Sequence, residues 1–185
     1  MVKVAVKPGT YLYPVPVVMV TCGPVDKPNI ITLAWVGTVC SDPPMVGISI
    51  RPSRYSHGLV KEHGEFALNL PTTDLVRVLD YCGSVSGRKV DKFAATGLTP
   101  APAKAIETAV IAECPVNIEC KVEQILPLGT HDLFLGKIVA VQMDENVLNE
   151  QRELDLNKAR PLIYGSHRYW SLGQLLGVHG FSVKS

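Results

Sequence analysis

Proline and glycine interrupt this chain at short intervals, fourteen of the first and fifteen of the second in 185 residues. Neither residue sits well inside a helix, and proline cannot donate to a sheet ladder, so no long regular element fits between them. The intervening segments are short and rich in Val and Ile, which is how short strands joined by turns read. Val15 to Cys22 reads as a strand, followed by a turn through Gly23-Pro24 and Lys27-Pro28. Asn29 to Val36 is a second apolar run, Pro43-Pro44 closes the next segment, and Met45 to Ile50 and Glu65 to Leu70 are further strands. Two short helices are inserted. Ser56 caps one running to about His63, and Pro71-Thr72-Thr73-Asp74 opens another with Leu75, Val78 and Leu79 as its apolar stripe.

Val85 to Pro102 is loop-like, with a small helix at Asp91 to Ala95. Between Asn117 and Glu123 polar and apolar residues alternate, predicting a strand with one wet face. Leu133 to Met143 is apolar on both faces, which suits the inside of a barrel or an interface. Glu145 to Arg160 reads as a surface helix or arm, and Pro161 to Gly173 as aromatic and irregular. There is no internal repeat, low-complexity tract or domain boundary, so residues 1–185 read as one domain. Strands dominate and do not alternate with long helices. A mainly β barrel with short inserted helices therefore fits better than a doubly wound sheet.

Bulk composition excludes several partners. Eighteen basic against seventeen acidic side chains leave a formal net charge of +1, which builds no field for nucleic acid or an anionic membrane. Any basic site must be local. No stretch is long enough to span a bilayer. Met1 to Gly9 has Lys3 and Lys7 but no apolar core of a signal peptide. The five cysteines are odd in number and form no C-x-x-C pair, so free thiols in a reducing, cytoplasmic compartment are expected.

Three constellations carry chemistry. Asn29 to Trp35 places small and polar residues in an apolar strand before a large aromatic. It is either a core strand with a packed Trp or a strand that offers its main chain to the edge of a flat heterocycle, with Trp35 as a wall. Arg51-Pro52-Ser53-Arg54-Tyr55-Ser56 puts two arginines and hydroxyls at a strand end leading into a helix. That is either a cap with solvated arginines or a phosphate site, where free N–H groups and the helix dipole favour an anion. Ser84 to Phe93 gathers Ser86, Gly87, Arg88, Lys89 and Lys92, as a solvated loop or the second jaw of a phosphate clamp. No P-loop and no dinucleotide fingerprint is present.

His57, His63, His131, His167 and His179 make no metal-binding spacing, so no metal is expected. His131 follows Gly129 and opens a strand, either at a pocket rim or in a surface turn. Cys40 reads as a small apolar residue before it reads as a redox thiol.

Taken in order, these segments resemble the flavin reductase-like, FMN-binding split-barrel family, near its flavoredoxin and ferric-reductase branch. The residues that carry the resemblance are Asn29 to Trp35, Cys40-Ser41-Asp42-Pro43-Pro44, Val46 to Tyr55 and Glu65 to Leu70. Ser86-Gly87, Asp91-Lys92-Phe93, Gly129 to Asp132, Leu135 to Ile138 and Tyr169-Trp170 extend it. The resemblance implies a six-stranded antiparallel Greek-key split barrel and a homodimer, with FMN held non-covalently near the subunit interface. It implies that Thr32 to Trp35 lie along the isoalloxazine, with Asn29 and Ile31 beside them, and that Cys40 and Ser41 flank the site. Ser49, Ile50, Arg51, Ser53, Arg54 and Tyr55, with Ser86, Gly87, Lys89 and Lys92, would hold the ribityl phosphate. Tyr169-Trp170 would cover the cofactor. His131 would be the catalytic position where nicotinamide approaches, although Asp132 follows it where reductases often carry a small hydroxyl residue.

The function implied is an FMN-binding oxidoreductase. It either reduces flavin with NADH or NADPH or relays electrons to a ferric chelate or a redox partner protein. A non-enzymatic FMN carrier and a small-ligand binding module are the alternatives. Flavin carries the redox chemistry in any such protein, so the lack of an acid–base constellation is compatible with it.

Overall fold

The computed structural model describes residues 1–183. In chain order its elements are β1 (Val15–Pro16), β2 (Val18–Cys22), β3 (Asn29–Leu33), β4 (Val36–Ser41), β5 (Pro44–Ile50), α1 (Tyr55–His63) and β6 (Glu65–Leu70). A 3-10 turn (Thr73–Leu75) leads into α2 (Val76–Ser84), then come α3 (Lys92–Thr96), β7 (Pro100–Ala101), β8 (Val110–Ile111), β9 (Val116–Pro127) and β10 (Asp132–Met143). After α4 (Leu156–Ala159), β11 (Leu162–Gly165) and β12 (Arg168–Ser171) complete the strands. None of these helices is long and apolar enough to cross a membrane.

The main sheet has the order β3-β2-β6-β9-β10-β5-β4, antiparallel throughout. Its two outermost strands, β3 and β4, are consecutive in sequence with only Ala34 and Trp35 between them. Three Cα steps reach about 11 Å at full stretch, so the two edges of the sheet must come together. Across that seam the Ser49 amide donates to the Trp35 carbonyl at 3.0 Å. The sheet is thereby curled into a split barrel, as expected. It counts seven strands rather than six because β4 folds back on β5 as a hairpin.

Inside the barrel Val20, Ile48, Ile50, Phe66, Cys120 and Phe134 form one core. A second core, with Met19, Ile30, Leu79, Cys82, Phe93 and Leu162, lies between the opposite face of β2–β3 and α2, α3 and β11. Every residue of β2 is buried because each of its faces meets one of these cores. At the barrel's centre a Cβ on Gly136 would lie 2.6 Å from the Phe66 ring, so only glycine lets β10 pass there.

Three expectations are corrected. The polar face of Asn117 to Glu123 is wet only in its second half. Residues 100–111 fold over the first half, where Glu119 accepts from the Lys104 and Ala105 amides and from Gln142 Nε2. Asn117 Nδ2 there donates to Asn69 Oδ1 at 2.9 Å. Second, Pro161 to Gly173 is not irregular: β11 and β12 form a hairpin that pairs with β1. Its two-residue turn is Ser166-His167, with φ of 49° and 60°, positions usually marked by Asn or Gly and therefore silent in this sequence. Third, Ser56 does not cap α1. Arg54 is the cap position, without a side-chain bond, and Ser56 lies buried one residue inside the helix.

Candidate functional site

The seam that closes the barrel also shapes a hollow of about 370 Å3, within the size range of small-molecule sites. Its floor is the end of β3 and the link that follows, Ile31 to Trp35, together with Ser49 and Ile50 at the end of β5, while Arg51, just beyond β5 and exposed, stands at its mouth. Thr32 is fixed there by donating its hydroxyl to the Leu79 carbonyl of α2. The close fit of Gly83 against Thr32, where a Cβ would lie 3.1 Å from the Thr32 Cβ, lets α2 approach the strand. A second hollow of about 190 Å3 is lined by Ser53, Arg54, Tyr55, Ser86, Gly87 and Lys92 among others. The two are confluent, sharing Ile31, Arg54 and Gly83.

The second hollow is built for an anion. It sits at the first turn of α1, whose leading N–H groups have no partner within the helix. Lys92 is 4% exposed, and two of its three protons go to the Ile30 and Cys82 carbonyls at 2.6 Å each. Burial, and in smaller part the Arg54 charge, pull its pKa below the ordinary lysine value. Gly87 closes against the wall so tightly that a Cβ would stand 1.9 Å from Asn29 Oδ1 and 3.0 Å from the Tyr55 ring. Among the described residues neither Arg51 nor Arg54 is ion-paired with a carboxylate.

At the first hollow's mouth Trp35 and His131 stand with ring centroids 4.5 Å apart, tilted by 48°. Arg51 Nε donates to His131 Nε2 at 3.3 Å, and His131 Nδ1 lies 2.9 Å from Thr130 Oγ1. Because an arginine N–H can only donate, Nε2 is the acceptor and the imidazole proton is on Nδ1, bonded to Thr130. Burial, then the Arg51 charge, lower the His131 pKa, which favours the neutral ring. Strand alternation turns Asp132 to the other face of β10, where its Oδ2 lies 2.8 Å from His57 Nε2 and ties β10 to α1.

Apart from Tyr169 and Ser84, the rest of the first hollow's lining was silent in the sequence. Thr10, Tyr13, Val17, Asp80, Ser84, Tyr164 and His167 belong to it together with Tyr169. Tyr169 donates its hydroxyl to Asp80 Oδ1 at 2.8 Å and packs on Tyr164 with centroids 5.6 Å apart. Burial, then the Asp80 bond, raise the Tyr169 pKa, so its proton stays in place. The turn that brings Tyr164 and Tyr169 here is the unmarked hairpin, and Asp80 is one polar residue on an amphipathic helix. Neither carries a local signal.

Of the residues expected at the site, Ile31, Thr32, Leu33, Ala34, Trp35, Ser49, Ile50, Arg51, Arg54, His131 and Tyr169 line the first hollow. Ser53, Tyr55, Ser86, Gly87 and Lys92 line the second. Five expected residues line neither. Asn29 lies behind Gly87 with its amide donated to Ser56 Oγ at 2.7 Å. Cys40 and Ser41 sit beyond the seam at the far end of β4. Lys89 is exposed in the turn closed by Ser86. Trp170 alternates away from Tyr169 and donates to the Gly165 carbonyl.

The description of a flavin reductase like domain matches residues 10–173. An uncharacterized protein of Archaeoglobus fulgidus is 38% identical over 131 residues, 71% of this chain and 73% of the relative. Among solved structures, flavoredoxin of Desulfovibrio vulgaris (Miyazaki F) superposes with a TM-score of 0.93 at 34% identity, covering 99% of this chain and 100% of that one. An FMN-binding protein from Thermus thermophilus, solved with bound 1-cyclohex-2-enone, gives 0.81 at 25% identity, covering 96% and 98%. With its seam-closed barrel and matched length, the chain belongs to the flavin reductase like family.

Proposed function

We propose that this protein is an FMN-binding oxidoreductase that takes electrons from NADH or NADPH and passes them to free flavin, a ferric chelate or a redox partner protein. The observation that carries the reading is the confluence of two unlike hollows at Ile31, Arg54 and Gly83. One offers main chain and a flat aromatic wall; the other offers cations at a helix start. A phosphorylated ring compound of FMN's shape has those two ends. The fit is supported by the Gly87 cradle, by the buried Lys92 with a proton to spare, and by an Arg54 that no carboxylate neutralises.

When bound, the flavin supplies the redox chemistry by accepting electrons from a donor and handing them on. The chain's own residues bind and orient. Arg54, Lys92 and the α1 amides hold the phosphate. Thr32 to Trp35 present main-chain groups to the ring edge. Tyr13, Tyr164 and Tyr169 line the same hollow as Trp35 and add aromatic surface for a flat ring. His131, neutral and with Nε2 engaged by Arg51, is not placed to deliver a proton.

The working form in this reading is a homodimer in the cytoplasm. Support comes from the outer face of β4, β5 and β10, where Val39, Leu133 and Leu135 pack around Gly47 and run on to Ser49 at the hollow. All five cysteines are free, as a reducing compartment requires.

Purified protein titrated with FMN should show quenched flavin fluorescence and a perturbed visible spectrum. Rapid mixing with NADH and NADPH should bleach the bound flavin at catalytic rates. A protein that takes up no FMN overturns the proposal. One that binds FMN but is reduced by neither nucleotide is an electron carrier instead.

A further inference from the structure

Arg51 and Arg54 are three residues apart in one turn, with the Arg54 amide bonded to the Arg51 carbonyl at 2.9 Å. Yet their side chains go to different ends of the site. Arg54 borders both hollows, whereas Arg51 borders only the ring end. One phosphate in the smaller hollow is served by Arg54, Lys92 and the helix start, which leaves Arg51 without an anion. It stands at the mouth, exposed, rather than on the floor.

The guanidinium is also aimed. His131 accepts its Nε–H, Thr130 fixes the His131 tautomer, and the Trp35 ring backs the imidazole. The imidazole holds the Nε edge of an arginine whose terminal nitrogens have no hydrogen-bond or carboxylate partner among the described residues. We infer that Arg51, positioned by His131, binds an oxyanion of the redox substrate that visits the bound flavin, and is not part of the cofactor's phosphate clamp. The inference rests on the FMN reading above. It assigns His131 as a positioning residue for Arg51 in place of the catalytic role expected from the sequence.

A forked arginine suits phosphate and carboxylate alike. The oxyanion is thus either a phosphate of a nicotinamide nucleotide or a carboxylate of a ferric chelate. The test uses FMN-loaded protein titrated with NADH, NADPH and ferric citrate, alongside steady-state kinetics with each. Arg51→Gln should raise Kd and KM about 10- to 100-fold for the substrate that carries the recognised group, with the FMN Kd and the flavin reduction potential unchanged. Loss confined to the nucleotides identifies phosphate; loss confined to ferric citrate identifies carboxylate. His131→Gln keeps an acceptor for Arg51 and should retain most of the affinity, while His131→Leu should approach Arg51→Gln.

The inference is overturned if Arg51→Gln weakens FMN as much as Arg54→Gln does, or shifts the potential. It is also overturned if no substrate's Kd changes, or if none of the three binds the loaded wild type. A wild type that takes up no FMN removes the functional reading itself. One that binds FMN normally but shows no effect at Arg51 removes this inference alone.

Discussion

At the scale of single residues, burial decides reactivity. Cys22 and Cys82 are fully buried, and desolvation pushes each thiol up to about 11; Cys120 reaches about 12 and Cys114 is raised further in the same direction. Only the thiolate attacks a disulfide reagent, so these four should be inert in the folded chain. Cys40 is the one partly exposed thiol. An aromatic disulfide reagent should therefore titrate one thiol in native protein, none in Cys40→Ser, and five in denatured wild type. Lys92 gives a pH prediction. Its pKa is lowered in the folded chain by burial, so its charge is lost earlier than an ordinary lysine's as pH rises. If that charge holds a phosphate, FMN affinity is intact below the lowered pKa and falls as pH climbs through it. Lys92→Met should bind FMN more weakly at pH 7 and lack this alkaline decline. An identical alkaline limb in both proteins defeats the assignment.

At the scale of elements, the site depends on close approaches that tolerate no added atom. Gly87→Ala would drive a methyl into the Asn29 side chain and the Tyr55 ring. The Asn29–Ser56 bond should break and the phosphate hollow distort. The expected cost is about 1–3 kcal/mol of stability, read by urea unfolding, with weakened FMN binding. Glu119 clips residues 104–105 onto β9. Glu119→Ala would orphan those amides at about 1–3 kcal/mol for each, and hydrogen exchange should rise in residues 100–111 before it rises in the barrel.

These same elements show what a sequence can disclose. Arg54 and Ser53 were legible as pocket-lining residues because hydroxyls and cations at a strand end before a helix have a local physical meaning, and Lys92 because it lies in a loop that gathers hydroxyls, a glycine and cations. Trp35 was legible because a large aromatic ends an apolar run. The wet face assigned to Asn117 and Glu119 failed because alternation shows which residues share a face, not what later covers it. Tyr13, Asp80 and Tyr164 were invisible because they meet only after the barrel closes and an unmarked Ser166-His167 turn folds the last hairpin back.

At the scale of the whole molecule, the closed seam leaves an apolar exterior to account for. Leu133 and Leu135 on β10 flank Gly47 of β5, with Val39 of β4 beside them, 53% exposed. Leu128 at the end of the same sheet is 64% exposed. Contiguous apolar patches of this kind are rare on a surface that stays in water. The patch borders the mouth where Ser49, Trp35 and Arg51 meet, so a second copy seated there would cover the site's open side. Leu135→Glu places a charge in that contact without disturbing the barrel interior. If the proposed dimer forms through this face, the variant should sediment at half the mass of the wild type, keep its circular dichroism, and bind FMN roughly 10-fold or more weakly, since a desolvated charge without a partner is costly. A folded monomer with undiminished FMN affinity would show that one chain completes the site alone.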